Sequence, residues 1–298
     1  MSKVIGKWPH QNSIKIEWNL TKRCNYDCSY CPASIHDNSS KPVDIEILKG
    51  TIDKLVAIGK PIRLSFTGGE PTVHPKFSEL LHYARDKGIN WISVTTNGTR
   101  TADWYMVQPV DQYVFSIHFE YDWLRVVNTI KEVSLCRNIQ LLAQIMAHHN
   151  KMDDVRTAHS MLSSSIVPTT IRRIRWTEGD HDLFDDMRYH PDDLNWVTHH
   201  IATVKPNVLI DGKEYHANDV IKLHLNKYKD WTCFAGIESL MINWDGDVHR
   251  ATCRVGGSLG NMYENTFKIP DAPIICNRNH CTCASDIPLT KYTQESLL

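Results

Sequence analysis

The constraint that most narrows the fold is a regular alternation of short strand-type runs and helix-type segments between residues 14 and 178. The strand-type runs read IKIEWNL (14–20), IRLSFT (62–67), WISVTT (91–96), QYVFSIHF (112–119), IQLLAQIMA (139–147) and IRRIRW (171–176). Helix-type segments fill the intervals at 44–58, 76–87, 101–107, 122–135 and 153–163. This spacing predicts βα units with right-handed crossovers and a mostly parallel sheet.

Period-two alternation within the runs adds a second constraint. Ile16 and Trp18 oppose Glu17 and Asn19; Ile62, Leu64 and Phe66 oppose Ser65 and Thr67; Ile92, Val94 and Thr96 oppose Ser93, Thr95 and Asn97. Tyr113, Phe115, Ile117 and Phe119 oppose Ser116, His118 and Glu120. Leu141, Ala143, Ile145 and Ala147 oppose Gln144 and His148, and Ile174 and Trp176 oppose Arg173 and Arg175. Each strand therefore has one apolar and one polar face. A sheet buried on both faces reads as continuous apolar runs, and a closed eight-stranded barrel fills its interior with bulky aliphatics. Six strands with a polar inner stripe predict an α/β fold, a partial (β/α)6 barrel of mostly parallel strands open around a polar ligand. An ordinary sheet with one solvated face is the alternative.

After about residue 205 the rhythm changes. NVLIDGKEYHANDVIKLHL predicts a short hairpin and a helical stretch, and SLMINWDGDVHRATC a β-hairpin with Asp245-Gly246 in a type I′ turn. The expected domains are a barrel over 1–204 and a small cysteine-rich hairpin-plus-helix unit over 205–298.

A net charge of −1 gives no electrostatic footprint for nucleic acid. No apolar run is long enough to span a bilayer, and MSKVIGKWPHQNSIKIEWN has no signal-peptide h-region. The expectation is a soluble, cytoplasmic protein with no membrane partner. Nine cysteines without a secretion signal then argue for metal or redox chemistry rather than a disulfide framework. They are clustered: Cys24, Cys28 and Cys31 early, Cys136 alone, and five after residue 230. Cys136 reads as an inert buried thiol.

CNYDCSYC places Cys24, Cys28 and Cys31 in one loop directly after the first strand. Three thiolates can hold three irons of a [4Fe–4S] cubane and leave the fourth iron open to a small molecule. A structural zinc site that recruits His36 is the alternative.

The trio matches the CxxxCxΦC signature of the radical S-adenosylmethionine (SAM) superfamily, with Tyr30 at the aromatic position. TGGEP (Gly68, Gly69, Glu70 and Pro71) ends the second strand and resembles the family's GGE motif, and TTNG (Thr95 to Gly98) ends the third. The resemblance covers about residues 14–178. It implies that Cys24, Cys28 and Cys31 bind a catalytic [4Fe–4S] cluster whose open iron takes the amino and carboxylate groups of SAM. Tyr30 would lie along the adenine, with Gly68, Gly69 and Glu70 at the methionine amino group. Asn97 and Ser116 would contact ribose or carboxylate. Arg173 or Arg175 would pair with the SAM carboxylate or an anionic substrate, structural ion pairing being the alternative.

CFAGIESLMINWDGDVHRATC sets Cys233 and Cys253 around a hairpin, followed by GGSLGN (Gly256 to Asn261). This resembles the C-terminal SPASM or twitch extension of many radical SAM enzymes, and five cysteines fit the twitch form with one auxiliary [4Fe–4S] cluster. Cys233, Cys253 and Cys281 plus either Cys276 or Cys283 would be its ligands. A zinc knuckle using four of the five, or His280, is the alternative.

His118, Glu120 and His148 face inward near strand C-termini, where a general base or substrate hydrogen-bonder belongs, though each also suits a pocket-lining role. Glu178, Asp180 and His181 would line the opening. Reductive cleavage of SAM to a 5′-deoxyadenosyl radical, followed by hydrogen abstraction, is the activity the resemblance implies. The electron would come from an external flavodoxin- or ferredoxin-type reductant. The expected substrate is a polar small molecule (sugar, cyclitol or nucleoside), with the auxiliary cluster as electron relay. Modification of a peptide or protein side chain is the rival, and a non-enzymatic iron–sulfur or zinc protein is the alternative of another class.

Overall fold

The computed structural model describes residues 2–7, 12–33, 36–165, 167–174, 188–200 and 205–293. A short strand β1 (Lys3–Gly6) precedes the six strands of the alternation: β2 (Ile14–Thr21), β3 (Ile62–Gly68), β4 (Trp91–Thr96), β5 (Gln112–Ile117), β6 (Gln140–Ala147) and β7 (Thr169–Arg173). Between them run α1 (Ile45–Val56), α2 (Phe77–Asp86), α3 (Ala102–Met106), α4 (Trp123–Val133) and α5 (Met152–Ser163). Asp44 and Asp122 start α1 and α4 by accepting the backbone N–H groups of Glu46 and Arg125, and so satisfy donors that a helix start leaves open.

Strands β2 to β7 pair in sequence order and in parallel, as the crossover helices require. The alternation is realised as expected in β2 to β6. Trp18, Phe66, Val94, Phe115 and Ile145 are fully buried in one core under the helices. Thr67, Thr95, Ser116 and Gln144, on the opposite faces, line a cavity. The fold is therefore α/β, with a mostly parallel sheet in a partial-barrel arrangement.

The remaining elements are α6 (Pro191–His199), β8 (Val208–Ile210), β9 (Lys213–Tyr215), α7 (Ala217–Lys222), β10 (Thr232–Cys233), β11 (Ser239–Ile242), β12 (Asp247–His249), β13 (Ser258–Asn261), β14 (Ile274–Ile275) and β15 (Lys291–Tyr292). They cross the expected 204/205 boundary in two places. β1 pairs antiparallel with β8 and β15, so the N-terminus lies in the sheet β14-β10-β15-β1-β8-β9. β11 pairs in parallel with β2, placing Ser239 opposite Lys15 and Ile242 opposite Trp18, and β12 and β13 continue the barrel sheet outward. The edge that β2 would otherwise expose is thus covered.

The β11–β12 turn differs from expectation. Type I′ needs positive φ at both central residues, and in this turn only Gly246 has it, at φ 85°. The Gly246 N–H donates to the Asn243 carbonyl at 2.9 Å, so the glycine closes the turn as a one-residue bulge. Arg175, Trp176, Glu178, Asp180, His181 and the 204 side of the boundary lie outside the described residues. Among the described residues, no helix is long and apolar enough to cross a membrane.

The aromatic centre of the core supplies a stability test. Phe115 is fully buried and meets Tyr105 edge-on with ring centroids 5.0 Å apart. Phe115→Ala is expected to cost about 3–5 kcal/mol, seen as a lower urea midpoint with an unchanged denaturant slope.

Candidate active site

The cysteine loop is fastened to the barrel mouth by backbone contacts that only glycine permits. Gly69 N–H donates to the Thr21 carbonyl at 2.7 Å, and Glu70 N–H to that of Arg23 at 2.9 Å. Thus the end of β3 lies directly under the chain entering the loop. A Cβ on Gly69 would collide with the backbone oxygens of Lys22 and Arg23. Gly68 has φ +124° and is equally confined, its absent Cβ facing the Thr21 carbonyl.

Glu70 is 1% exposed, and its carboxylate accepts from Thr72 N (3.0 Å), Thr96 Oγ1 (2.9 Å) and Asn97 N (2.6 Å). Burial pushes this carboxyl above its ordinary range despite those bonds. The side chain therefore ties the end of β3 to the end of β4. Asn97 reaches on into the loop, donating from Nδ2 to Asn25 Oδ1 at 2.8 Å and lying 3.8 Å from Cys24 Sγ.

His118, Glu120 and His148, expected inward at the strand ends, all meet the cysteine loop. Tyr30 Oη and His118 Nδ1 are 2.6 Å apart, and Cys28 Sγ lies 3.5 Å from the same nitrogen. Burial pulls His118 down to about 4, outweighing the nearby Glu120 charge, so its imidazole is neutral near pH 7. The Glu120 carboxylate accepts from the Ser29 N–H at 2.8 Å and from the Ser29 hydroxyl. His148 Nδ1 accepts from Asn150 N–H, which leaves Nε2 to donate to Glu120 at 3.1 Å. Burial raises the Glu120 carboxyl, but the Ser29 and His148 hydrogen bonds outweigh it and hold the group below its ordinary value. Tyr121 completes the clamp by accepting from Asp27 N–H and stacking on Tyr26 at 3.8 Å. His36 Nε2 donates to the Tyr26 carbonyl at 2.6 Å.

Cys24, Cys28, Cys31, Tyr30, Gly68, Gly69, Glu70, Asn97, Ser116 and Arg173 all line one cavity of about 790 Å³, within the size range of small-molecule sites. Burial raises all three thiols, Cys28 to about 12 and Cys31 to about 11. Binding as thiolates to iron would therefore release protons. The donor set suits a cluster: three soft thiols are spread over an eight-residue loop at a cavity mouth. Among the described residues, no three His, Cys, Asp or Glu side chains are arranged to hold a single metal ion.

Register corrects one arginine assignment. Gln144 pairs with Thr170 and Met146 with Arg172, so Arg172 shares the inner face of β6, while Arg173 is registered with core-facing Ala147. Arg172 Nη1 donates to Gln144 Oε1 at 3.1 Å. Arg172 was hidden because the run IRRIRW has arginines at both parities and β7 begins at Thr169, two residues before it. Both arginines border the cavity, as does Lys222 from α7.

The late cysteines divide four and one. Cys233 and Cys276 share an apolar cluster with Ala235, Ala251, Val255 and Leu289, and Cys253 packs against it. Pairing of β10 with β14 brings this about, with Cys233 opposite Ile274 and Cys276 following directly. Burial raises Cys253 to about 12, and it feels the charges of Cys233 and Cys276; Cys281, also raised by burial, feels Cys253 and Cys233. Cys283 is elsewhere: its Sγ is 2.9 Å from Ser285 Oγ, beside Lys15, Glu17 and Asp286, and it borders the cavity.

Comparison with known proteins bears on the class. Over 85% of its length the chain shares a fold with anSMEcpe solved with bound AdoMet (TM-score 0.59, 15% identity, 79% of that chain). Residues 18–132, which hold the cysteine loop and strands β3 to β5, match the Radical SAM superfamily. The chain is 41% identical over 85 residues to Fe-coproporphyrin III synthase of Methanosarcina barkeri, covering 28% of this chain and 21% of that enzyme. It is 35% identical over 87 residues to an S-adenosylmethionine-dependent nucleotide dehydratase of Selenomonas ruminantium, covering 29% and 31%. The matched stretch thus spans less than a third of these two relatives.

Two tests follow from this geometry. Gly69→Ala is expected to destabilise the fold by about 1–3 kcal/mol through forced displacement of the loop backbone, measured by urea unfolding. His216 caps α7 by accepting from Asn218 N–H at 3.3 Å, and burial pulls its pKa to about 4. The unfolded chain therefore binds more protons between pH 6.5 and 4, and stability falls as pH drops through that window. His216→Asn, a cap that does not titrate, should flatten the fall in Tm over that window relative to wild type.

Proposed function

We propose that the protein is a radical SAM enzyme that abstracts a hydrogen atom from a polar small molecule in this cavity, with an auxiliary cluster as electron relay. The observation that carries the reading is the trio Cys24, Cys28 and Cys31, fastened by Gly69, Glu70 and Asn97 and opening on one cavity with Tyr30 and Ser116. When bound, a [4Fe–4S] cluster and SAM supply reductive cleavage to methionine and a 5′-deoxyadenosyl radical, given one electron from a flavodoxin- or ferredoxin-type donor.

The chain's own residues bind, orient and exclude water. Cys24, Cys28 and Cys31 would hold the cluster, and the lock at Glu70 fixes their loop without any metal. With its carboxylate held by three protein donors, Glu70 contributes backbone to the SAM site, as do Gly68 and Gly69. Tyr30 is held by His118, so its ring has a fixed orientation over the mouth. His118, Glu120 and His148 act as positioning residues for the loop. The residues 278–283 close the cavity from the C-terminal side, which supports a small substrate and shields the reaction from solvent.

Cys233, Cys253, Cys276 and Cys281 are the assigned ligands of the auxiliary cluster. Cys253 also borders the cavity, so this group stands beside the substrate space, where an electron acceptor is useful.

Anaerobic reconstitution should load about eight irons per chain, the content of two cubanes. Cys276→Ser should reduce this to about four, while Cys283→Ser should leave about eight. Wild type with dithionite and SAM should form 5′-deoxyadenosine, and Cys28→Ala should form none. Fully loaded wild type that makes none would overturn the enzyme reading, and an unchanged iron content in Cys276→Ser would overturn the ligand assignment.

A further inference from the structure

Among the described residues, the charges bordering the cavity are mostly positive. Arg172 and Arg173 from β7, Lys222 from α7 and Arg278 from the C-terminal segment all border it, and Glu70 is the one bordering carboxylate among the described residues. Glu70 is already held by three donors from the β3 and β4 ends. Two of these cations are built into the wall: Arg173 is 8% and Lys222 6% exposed. Lys222 is fixed by Asp219 Oδ1 at 3.3 Å and by the His200 carbonyl, and Gln144 orients the Arg172 guanidinium at 3.1 Å. Burial and the neighbouring Arg173 charge pull the Lys222 ammonium down, against the opposing pull of Asp219. Like charges gathered in a partly desolvated wall gain most from an anion placed between them, and a guanidinium fork matches the paired oxygens of a carboxylate or phosphate.

We infer that the β7–α7 side of the cavity is an anion subsite, with Arg172 and Arg278 as its recognition groups, and that the substrate carries a carboxylate or phosphate. The inference rests on the reading of this cavity as the substrate site and narrows its substrate class from polar to anionic. SAM also carries a carboxylate, so the test must separate the two.

Thermal unfolding of the full, reconstituted chain with inorganic phosphate or malonate, against KCl at matched ionic strength, reads the subsite without turnover. At about ten times its dissociation constant, the recognised anion should raise Tm by about 2–4 °C. Whichever of the two acts names the group as phosphate or carboxylate. The shift should persist at saturating SAM and fall at least twofold in Arg172→Gln and in Arg278→Gln. Arg278 is exposed, so its substitution leaves the fold intact. No shift with either anion, a shift unchanged in both variants, or one abolished by SAM would each overturn the inference. A protein that binds the anion in this way yet forms no 5′-deoxyadenosine keeps the subsite and loses the radical SAM reading.

Discussion

Two backbone hydrogen bonds, Gly69 N–H to Thr21 O and Glu70 N–H to Arg23 O, are the contact on which the rest of the site depends. They place a loop with one buried and two half-buried thiols against the end of a neighbouring parallel strand, and they require that residue 69 have no side chain. Glu70 then extends the lock to β4, and Asn97 returns it to the loop. His118, Glu120 and Tyr121 hold the loop's far side from the end of β5. The loop is thus gripped from β3, β4 and β5.

A second buried network joins the C-terminal segment to the barrel interior. Lys15 on β2 is 2.9 Å from Glu17 and 3.5 Å from Asp286, and donates to the Ser285 carbonyl at 3.0 Å. Burial alone would lower Lys15, but the two carboxylates outweigh it and keep it charged, while Lys15 in turn holds Glu17 low against its own burial. Such a network adds little net stability over an apolar core but fixes one docking geometry. That geometry sets Cys283 on the cavity side and leaves Cys281 near Cys233 and Cys253. Lys291, opposite Cys233 in the β10–β15 pair, is 1% exposed and donates to three backbone carbonyls. A fixed cation therefore stands beside Cys233 and Cys281.

Much of this was legible in the chain because it is local. Period-two alternation separated the core face of strands β2 to β6 from the cavity face, and motif position placed CNYDCSYC, TGGEP and TTNG at strand ends. What was not legible depends on pairing between distant segments. Nothing in KVIG foretells that β1 joins β8 and β15, and nothing in SLMI that β11 extends the barrel beside β2. The polarity of His118, Glu120 and His148 was visible, but their partners in the loop were not. Likewise, the nearness of Cys276 to Cys233 comes from the β10–β14 ladder, which spacing along the chain cannot supply.

The central claim is that the clamped trio holds a cluster whose fourth iron is open to SAM. Electron paramagnetic resonance of the reduced, reconstituted Cys276→Ser variant, recorded with and without SAM, isolates the signal of the trio's cluster. A change in g values on adding SAM is the expected result, and a spectrum that SAM leaves unchanged would contradict the claim.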